Sequence, residues 1–234
     1  MLNGDVNMTA INVPQVVYKF MNPHYLKCLK QNKTIYINFL KNYKEIEYGK
    51  EIGDDLEGIL HNNINITNYT FGDTEINKNC ALEKLLEDER LIKCDGGGKV
   101  VLDNCAFHSN HSENNYYVYC ICKEYDGKVK EEFGGATLII SNYAMFLTHL
   151  QNALIKKNIH LVTVGECVYI ADRTNHFNEK GEKYDYSFPA LVKEKRYEYQ
   201  KEFRVLWARN DGEIITEPIE IYCPEALEYC SFQY

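Results

Sequence analysis

Val16–Asn38 reads VVYKFMNPHYLKCLKQNKTIYIN. Its two ends alternate β-branched or aromatic residues with polar ones, the mark of strands over Val16–Phe20 and Thr34–Asn38. Between them Asn22 offers a cap and Pro23 a first-turn proline, so PHYLKCLKQN is predicted to be a short helix. A strand, a short helix and a strand in direct succession form a compact unit. The same economy recurs downstream. Ile64–Phe71 alternates as a strand, and Asn79–Arg90 (NCALEKLLEDER) carries Ala81, Leu82, Leu85 and Leu86 on one helical stripe. Val100–Phe107 and Tyr116–Cys122 are expected to pair as strands across the polar turn HSNHSENN. Gly134-Gly135 precedes the strand ATLIIS, and Asn142 can cap YAMFLTHLQNALIKK, whose buried face is Phe146, Leu147, Leu150 and Leu154. Leu161–Ala171, Phe203–Ala208 and ITEPIEIYC read as further strands, with a turn of helix starting at Pro224. Strands outnumber helices and do not alternate with them regularly. The expected class is therefore α+β, with mixed or largely antiparallel sheets and a few short helices.

The chain has 234 residues and no linker rich in Pro, Gly or Ser, so residues 1–234 are expected to form a single α+β domain behind a loose, polar arm over 1–14. A net charge of −8 repels nucleic-acid backbones and acidic membrane surfaces over the protein as a whole. The Lys-rich stretch Lys193–Lys201 can still supply a local basic groove. No window approaches the roughly 20 apolar residues of a membrane span, the N-terminus has no export-signal pattern, and no nucleic-acid module shows its signature. The 9 cysteines are scattered and odd in number, which fits free thiols and a cytoplasmic protein.

Four groups of residues are candidates for chemistry. The foremost is Lys193–Arg204, KEKRYEYQKEFR. Read as an extended strand, it sets Glu198, Gln200, Glu202 and Arg204 on one face and Tyr197, Tyr199, Lys201 and Phe203 on the other. Such a face can aim a carboxylate and an amide at a ligand, or simply lace a solvent-exposed sheet with ion pairs. Tyr18, Lys19 and Phe20 with Tyr36 form the second group: aromatics beside a lysine stack a base and neutralise a phosphate, or serve as sheet packing. Ile52–Gly58, with three carboxylates, can hold a divalent ion or a ribose hydroxyl, but lacks the ligand set of a calcium loop and reads equally as a capped turn. Cys105, His108, His111, Cys120 and Cys122 have the donor types of a zinc site, without the usual C-x2-C pair; buried free cysteines and surface histidines are the preferred reading, and no metal is expected. Walker, G-x-G-x-x-G, H-E-x-x-H and G-x-S-x-G motifs are absent.

Three segments in order resemble a set of uncharacterised bacterial and phage proteins. Tyr18-Lys-Phe, Leu29, Thr34-Ile-Tyr and Asp54–Gly58 resemble its opening pattern, and Tyr119-Cys-Ile-Cys its middle strand. Tyr197-x-Tyr-Gln-Lys-Glu-Phe-Arg204 resembles its late Y-x-Y-Q-x-E-[YWF]-R motif. That set is distantly similar to the ADP-ribosyltransferase superfamily, whose members commonly use an early basic or His residue, a middle Ser or Tyr, and a late Glu. The resemblance implies an ADP-ribosyltransferase-like fold, NAD as cofactor, Glu202 as the late carboxylate, and Tyr18 or Lys19 at the early position. It implies nicotinamide against Tyr36, with Tyr199, Gln200 and Arg204 lining the nucleotide site. The chain departs from the pattern in having neither Arg nor His on the first strand and no Ser-Thr-Ser motif. The alternative expectation is a non-catalytic nucleotide- or protein-binding protein acting in host–phage conflict.

Overall fold

The computed structural model describes residues 14–44, 58–71, 98–112, 115–177 and 188–234. Most of the arm, Asp54–Glu57, the Asn79–Arg90 helix and part of the glycine triplet lie outside the described residues. The architecture is mixed α+β, with mostly antiparallel sheets and few helices. By their contacts the described residues gather into two compact units: 14–44, 115–169 and 191–234 form the first, and 58–71, 98–112, 170–177 and 188–190 the second.

The second unit is built on β3 (Ile59–Phe71) and β4 (Val100–Ser112), a long antiparallel pair joined on its β3 edge by the parallel β9 (Thr174–Phe177). The expected pairing of Val100–Phe107 with Tyr116–Cys122 is thus corrected: β4 pairs with β3. The reason is burial. The segment β5 (Tyr117–Cys122) is buried at all positions but Cys120, as suits a central strand, whereas Val101, Asp103, Asn104, Ala106 and His108 on β4 are exposed.

The first unit holds an eight-stranded sheet centred on β5. One edge of β5 is zipped to β11 (Glu202–Arg209) from Glu202↔Cys122 to Trp207↔Tyr117, and β11 is zipped in turn to β7 (Ile159–Glu166). The other edge is shared. At Cys122 it pairs with Tyr18 of β1 (Val17–Met21), which continues to β6 (Ala136–Ile140) and β13 (Cys230–Gln233). At Val118 and Tyr117 it pairs with Asn38 and Phe39 of β2 (Thr34–Phe39), which continues to β12 (Ile219–Tyr222). The sheet therefore forks at β5. A separate two-stranded sheet pairs β8 (Val168–Ile170) with β10 (Val192–Glu194).

Local signals explain the helices. In α1 (Pro23–Asn32), Asn22 Oδ1 accepts from the His24 N–H, and Lys33 closes the helix in a left-handed conformation (φ 56°). Asp126 caps α2 (Gly127–Glu132), a helix the hydrophobic pattern did not reveal. Asn142 caps α3 (Tyr143–Ile155) as expected, and a single turn, α4 (Pro224–Leu227), follows Cys223. Helix α3 lays Tyr143, Phe146, Leu150 and Leu154 on one sheet face, against a core that includes Val17, Tyr119, Ile121, Phe203, Val205 and Trp207. Trp207 is fully buried and its Nε1–H donates to Gln151 Oε1 at 2.6 Å. Leu161–Ala171 was expected as one strand; it is broken at Cys167 into β7 and β8. The terminal β13, too short for a clear alternation, was not anticipated.

Gly134, between α2 and β6, has φ +107°, and a Cβ there would meet the Asn22 Cα at 2.8 Å. The neighbour is backbone and the φ is one that L-residues avoid, so neither can relax cheaply. Gly134→Ala is expected to destabilise the protein by about 1–3 kcal/mol, read as a lower midpoint in urea unfolding; an unchanged midpoint would refute this close approach.

Candidate functional site

The segment Lys193–Arg204 is not one strand. Lys195–Gln200 winds into a 3-10 helix that ends at Lys201 with φ 43° and ψ 49°, and β11 starts at Glu202. The expected alternation of side chains across 197–204 is corrected accordingly. Glu198 is exposed and pairs with Lys195, Lys201 pairs with Glu124 at the surface, and Tyr197 is buried. What survives is the convergence of Gln200, Glu202 and Arg204, by a different route. The turn folds Gln200 back so that its Oε1 accepts from Lys193 Nζ at 2.8 Å, and the same ammonium lies 2.6 Å from Glu202 Oε2. Arg204 Nε, two residues along the strand and on the same face, donates to Glu202 Oε1 at 2.6 Å. Both carboxylate oxygens thus face a cation. Lys193 also stands 4.8 Å from the centroid of the Tyr197 ring.

Lys193 opens the stretch that could supply a local basic groove, yet it is only 4% exposed. The usable signal was its position directly after the apolar run Pro189–Val192, where a lysine enters the interior and must find a partner.

The strand register places other groups around this carboxylate. Cys122 on β5 pairs with Glu202, Cys120 pairs with Arg204, and the Cys167 N–H donates to the Glu202 carbonyl at 2.9 Å from the end of β7. The Tyr169 hydroxyl accepts from the Glu202 N–H at 2.7 Å. On the forked edge, Tyr43 reaches in from the 3-10 turn Leu40–Lys44, and the Cys120 thiol lies 4.0 Å from its hydroxyl. That turn is set by Asn38, whose Oδ1 accepts from the Phe39 N–H and from Asn42 Nδ2. Sequence reading did not include Tyr43, Cys167 or Tyr169, because nothing local marks a residue whose role comes from strands distant in the chain.

Lys19 takes a distinct position. Tyr119, Cys120 and Ile121 have no ladder pair on the forked edge among the described residues. There the Lys19 ammonium donates to the Cys120 carbonyl at 2.9 Å and lies 4.3 Å from the Tyr119 ring centroid. Tyr18, in register with Cys122, packs with Phe20 and Tyr125 in an aromatic group that also receives Tyr199 and Phe133. Tyr199 donates from its hydroxyl to Glu132 Oε2 at 2.8 Å. Tyr36 is exposed on the β2–β12 branch, opposite Glu220 in register. The structure thus gathers Glu202, Arg204, Gln200 and, along the same strand row, Tyr18; Lys19 stands at the fork, Tyr199 in the neighbouring aromatic group, and Tyr36 on the other branch.

The electrostatics follow from burial and pairing. Burial alone would raise the Glu202 carboxyl, but Arg204 and Lys193 outweigh it and hold the group well below the usual carboxylate range. Burial, reinforced by the Glu202 charge, pushes the Cys120 and Cys122 thiols up to about 12, so both are protonated at neutral pH. Burial lowers Lys19, opposed by Cys120, Cys122 and Glu202. The site can therefore offer a fixed negative charge, two fixed cations and neutral thiols. Thiols raised and a carboxylate lowered in this way favour electrostatic stabilisation over thiolate attack or proton abstraction.

Among the described residues no group of three or more His, Cys, Asp or Glu is arranged to hold a metal ion. Cys105 and His108 belong to the β3–β4 unit, and Cys120 and Cys122 to the sheet unit. No helix among the described residues is long and apolar enough to cross a membrane. No protein-family model, curated protein or solved structure matches the chain.

Removing one member of a buried ion cluster strands the others, at a cost of about 3–5 kcal/mol. Glu202→Gln is expected to lose that much at neutral pH. Because the folded-state pKa is depressed, the contribution of Glu202 is present above the ordinary carboxylate pKa and fades as pH falls through the folded value. The stability difference between wild type and variant should narrow steadily below about pH 4. Denaturant unfolding across that range checks it; a pH-independent difference would show that Glu202 is not ionised in the folded protein.

Proposed function

We propose that the chain is an NAD-dependent ADP-ribosyltransferase-like enzyme whose working carboxylate is Glu202. The observation that carries this reading is a carboxylate kept ionised by Arg204 and Lys193 on a central strand, in the same strand row as Tyr18 and beside the fork of the sheet. Cleaving the bond between nicotinamide and ribose develops positive charge on the sugar. A preorganised anion stabilises that charge without taking up a proton, which suits a group whose pKa is held low. The α+β, largely antiparallel sheet is compatible with the fold that the resemblance implies.

In this reading Arg204 and Gln200 contact the nucleotide, Lys19 or Tyr18 the ribose or a phosphate, and Tyr199 and Tyr36 supply aromatic surface from the two sides of the fork. A phosphate competing for Lys193 and Arg204 would leave Glu202 free to turn its charge toward the sugar.

One observation favours a second reading, that of a non-catalytic nucleotide- or protein-binding protein. Both oxygens of Glu202 are already engaged by cations and the residue is 6% exposed, as in a purely structural ion cluster.

Calorimetric titration with NAD, ADP-ribose and ATP, with nicotinamide release followed in the same samples, separates the two. The enzyme reading expects NAD binding and a release that Glu202→Gln abolishes and Glu202→Asp, which keeps the charge, reduces by about 10²–10³-fold. Binding without release would establish the second reading. Release that persists in a folded Glu202→Gln protein would remove Glu202 from the chemistry.

A further inference from the structure

The Glu202 cluster is closed: Glu202, Arg204 and Lys193 are all under 7% exposed. Any ligand that reaches it requires a part of the unit to move, and the ladder pairs show where the sheet is weakest. On one side of the fork, β1 is joined to β6 by pairs from Val17↔Ile140 to Met21↔Ala136, and β6 to β13 by pairs from Cys230↔Ile140 to Gln233↔Thr137. On the other, β5, β11 and β7 are zipped along nearly their whole lengths. Between these two ribbons the register holds a single pair among the described residues, Tyr18↔Cys122.

Had the ladder continued, Phe20 would face Cys120. Hydrogen-bonding groups alternate along a strand, so with Tyr18 paired to Cys122 the amides of Phe20 and Cys120 are also directed into the seam. In place of the missing strand bond, the Cys120 carbonyl receives the Lys19 ammonium, a side-chain donor reaching from the opposite ribbon. The flexible stem of a lysine can follow a moving acceptor or release it, whereas a backbone N–H cannot do so without shifting the strand.

We infer that the fork is a hinge. The β1–β6–β13 ribbon turns about the Tyr18–Cys122 pair relative to β5–β11–β7, and the Lys19–Cys120 contact is the latch that holds the seam closed over the cluster. Lys19 is then a positioning residue, acting through the sheet. This does not depend on the identity of the ligand, because the opening is a property of the ligand-free chain.

Residue-resolved amide hydrogen exchange on the full-length protein tests it. In the ligand-free wild type, the amides of Phe20 and Cys120 are expected to exchange at least about tenfold faster than the β5–β11 and β1–β6 ladder amides, such as Ile121 and Leu138. Lys19→Met, which keeps the stem but removes the donor, should speed exchange at Phe20 and Cys120 by about a further tenfold, the worth of one hydrogen bond, and leave the ladder amides unchanged. Lys19→Arg, which restores a donor, should bring the rates back toward wild type. Protection of Phe20 and Cys120 equal to that of the ladders in the wild type would overturn the hinge, and this comparison needs no variant to fold. Seam exchange that is fast in the wild type but indifferent to Lys19→Met would overturn the latch.

Discussion

A strand buried on both faces must satisfy its backbone on both edges, because water is not there to do it. In this protein that strand is β5. Its β11 edge is paired throughout, but the opposite edge is divided between two strands that are neighbours in sequence, β1 and β2, held apart by the helix between them. Neither alone covers the edge. Among the described residues the middle of β5 is left to side chains, and Lys19 supplies the donor that a strand would otherwise provide. The fork, the approach of Tyr43 to Cys120 and the exposure of Tyr36 on its own branch all follow from that division.

The second constraint is charge. Glu202 stands where β11 begins, in the row that carries Cys122 and Tyr18, and burial there penalises an ion heavily. Arg204 comes from the same strand and Lys193 from across a 3-10 turn, so the carboxylate is held from two directions. Thiols fill the adjacent positions of the neighbouring strands, and desolvation keeps them protonated, so they pack as small neutral groups rather than nucleophiles. What remains chemically distinctive is a buried carboxylate between Arg204 and Lys193, next to the forked edge of β5.

Much of the local structure was legible in the sequence. Asn22-Pro23 and Asn142 marked the starts of α1 and α3, and the apolar stripe Phe146–Leu154 identified the face α3 buries. Phe203–Ala208 was marked as a strand, and it forms most of β11. The reading failed where local pattern and partner choice part company. Tyr197–Gln200 has the alternation of a strand, yet it folds into a 3-10 turn because Gln200 and Lys193 have a buried carboxylate to satisfy. Val100–Phe107 and Tyr116–Cys122 are both strands, but proximity in sequence did not make them partners.

The sequence by itself determined the α+β class and most strand and helix positions, since these depend on spacing and side-chain type over a few residues. Only the tertiary structure decided that Lys193 completes the cluster, that Cys120, Cys122 and Cys167 surround it, and that Lys19 bridges a fork. Those relations join residues far apart in the chain, and strand pairing is chosen by total burial and backbone satisfaction over the whole unit, which no local window contains.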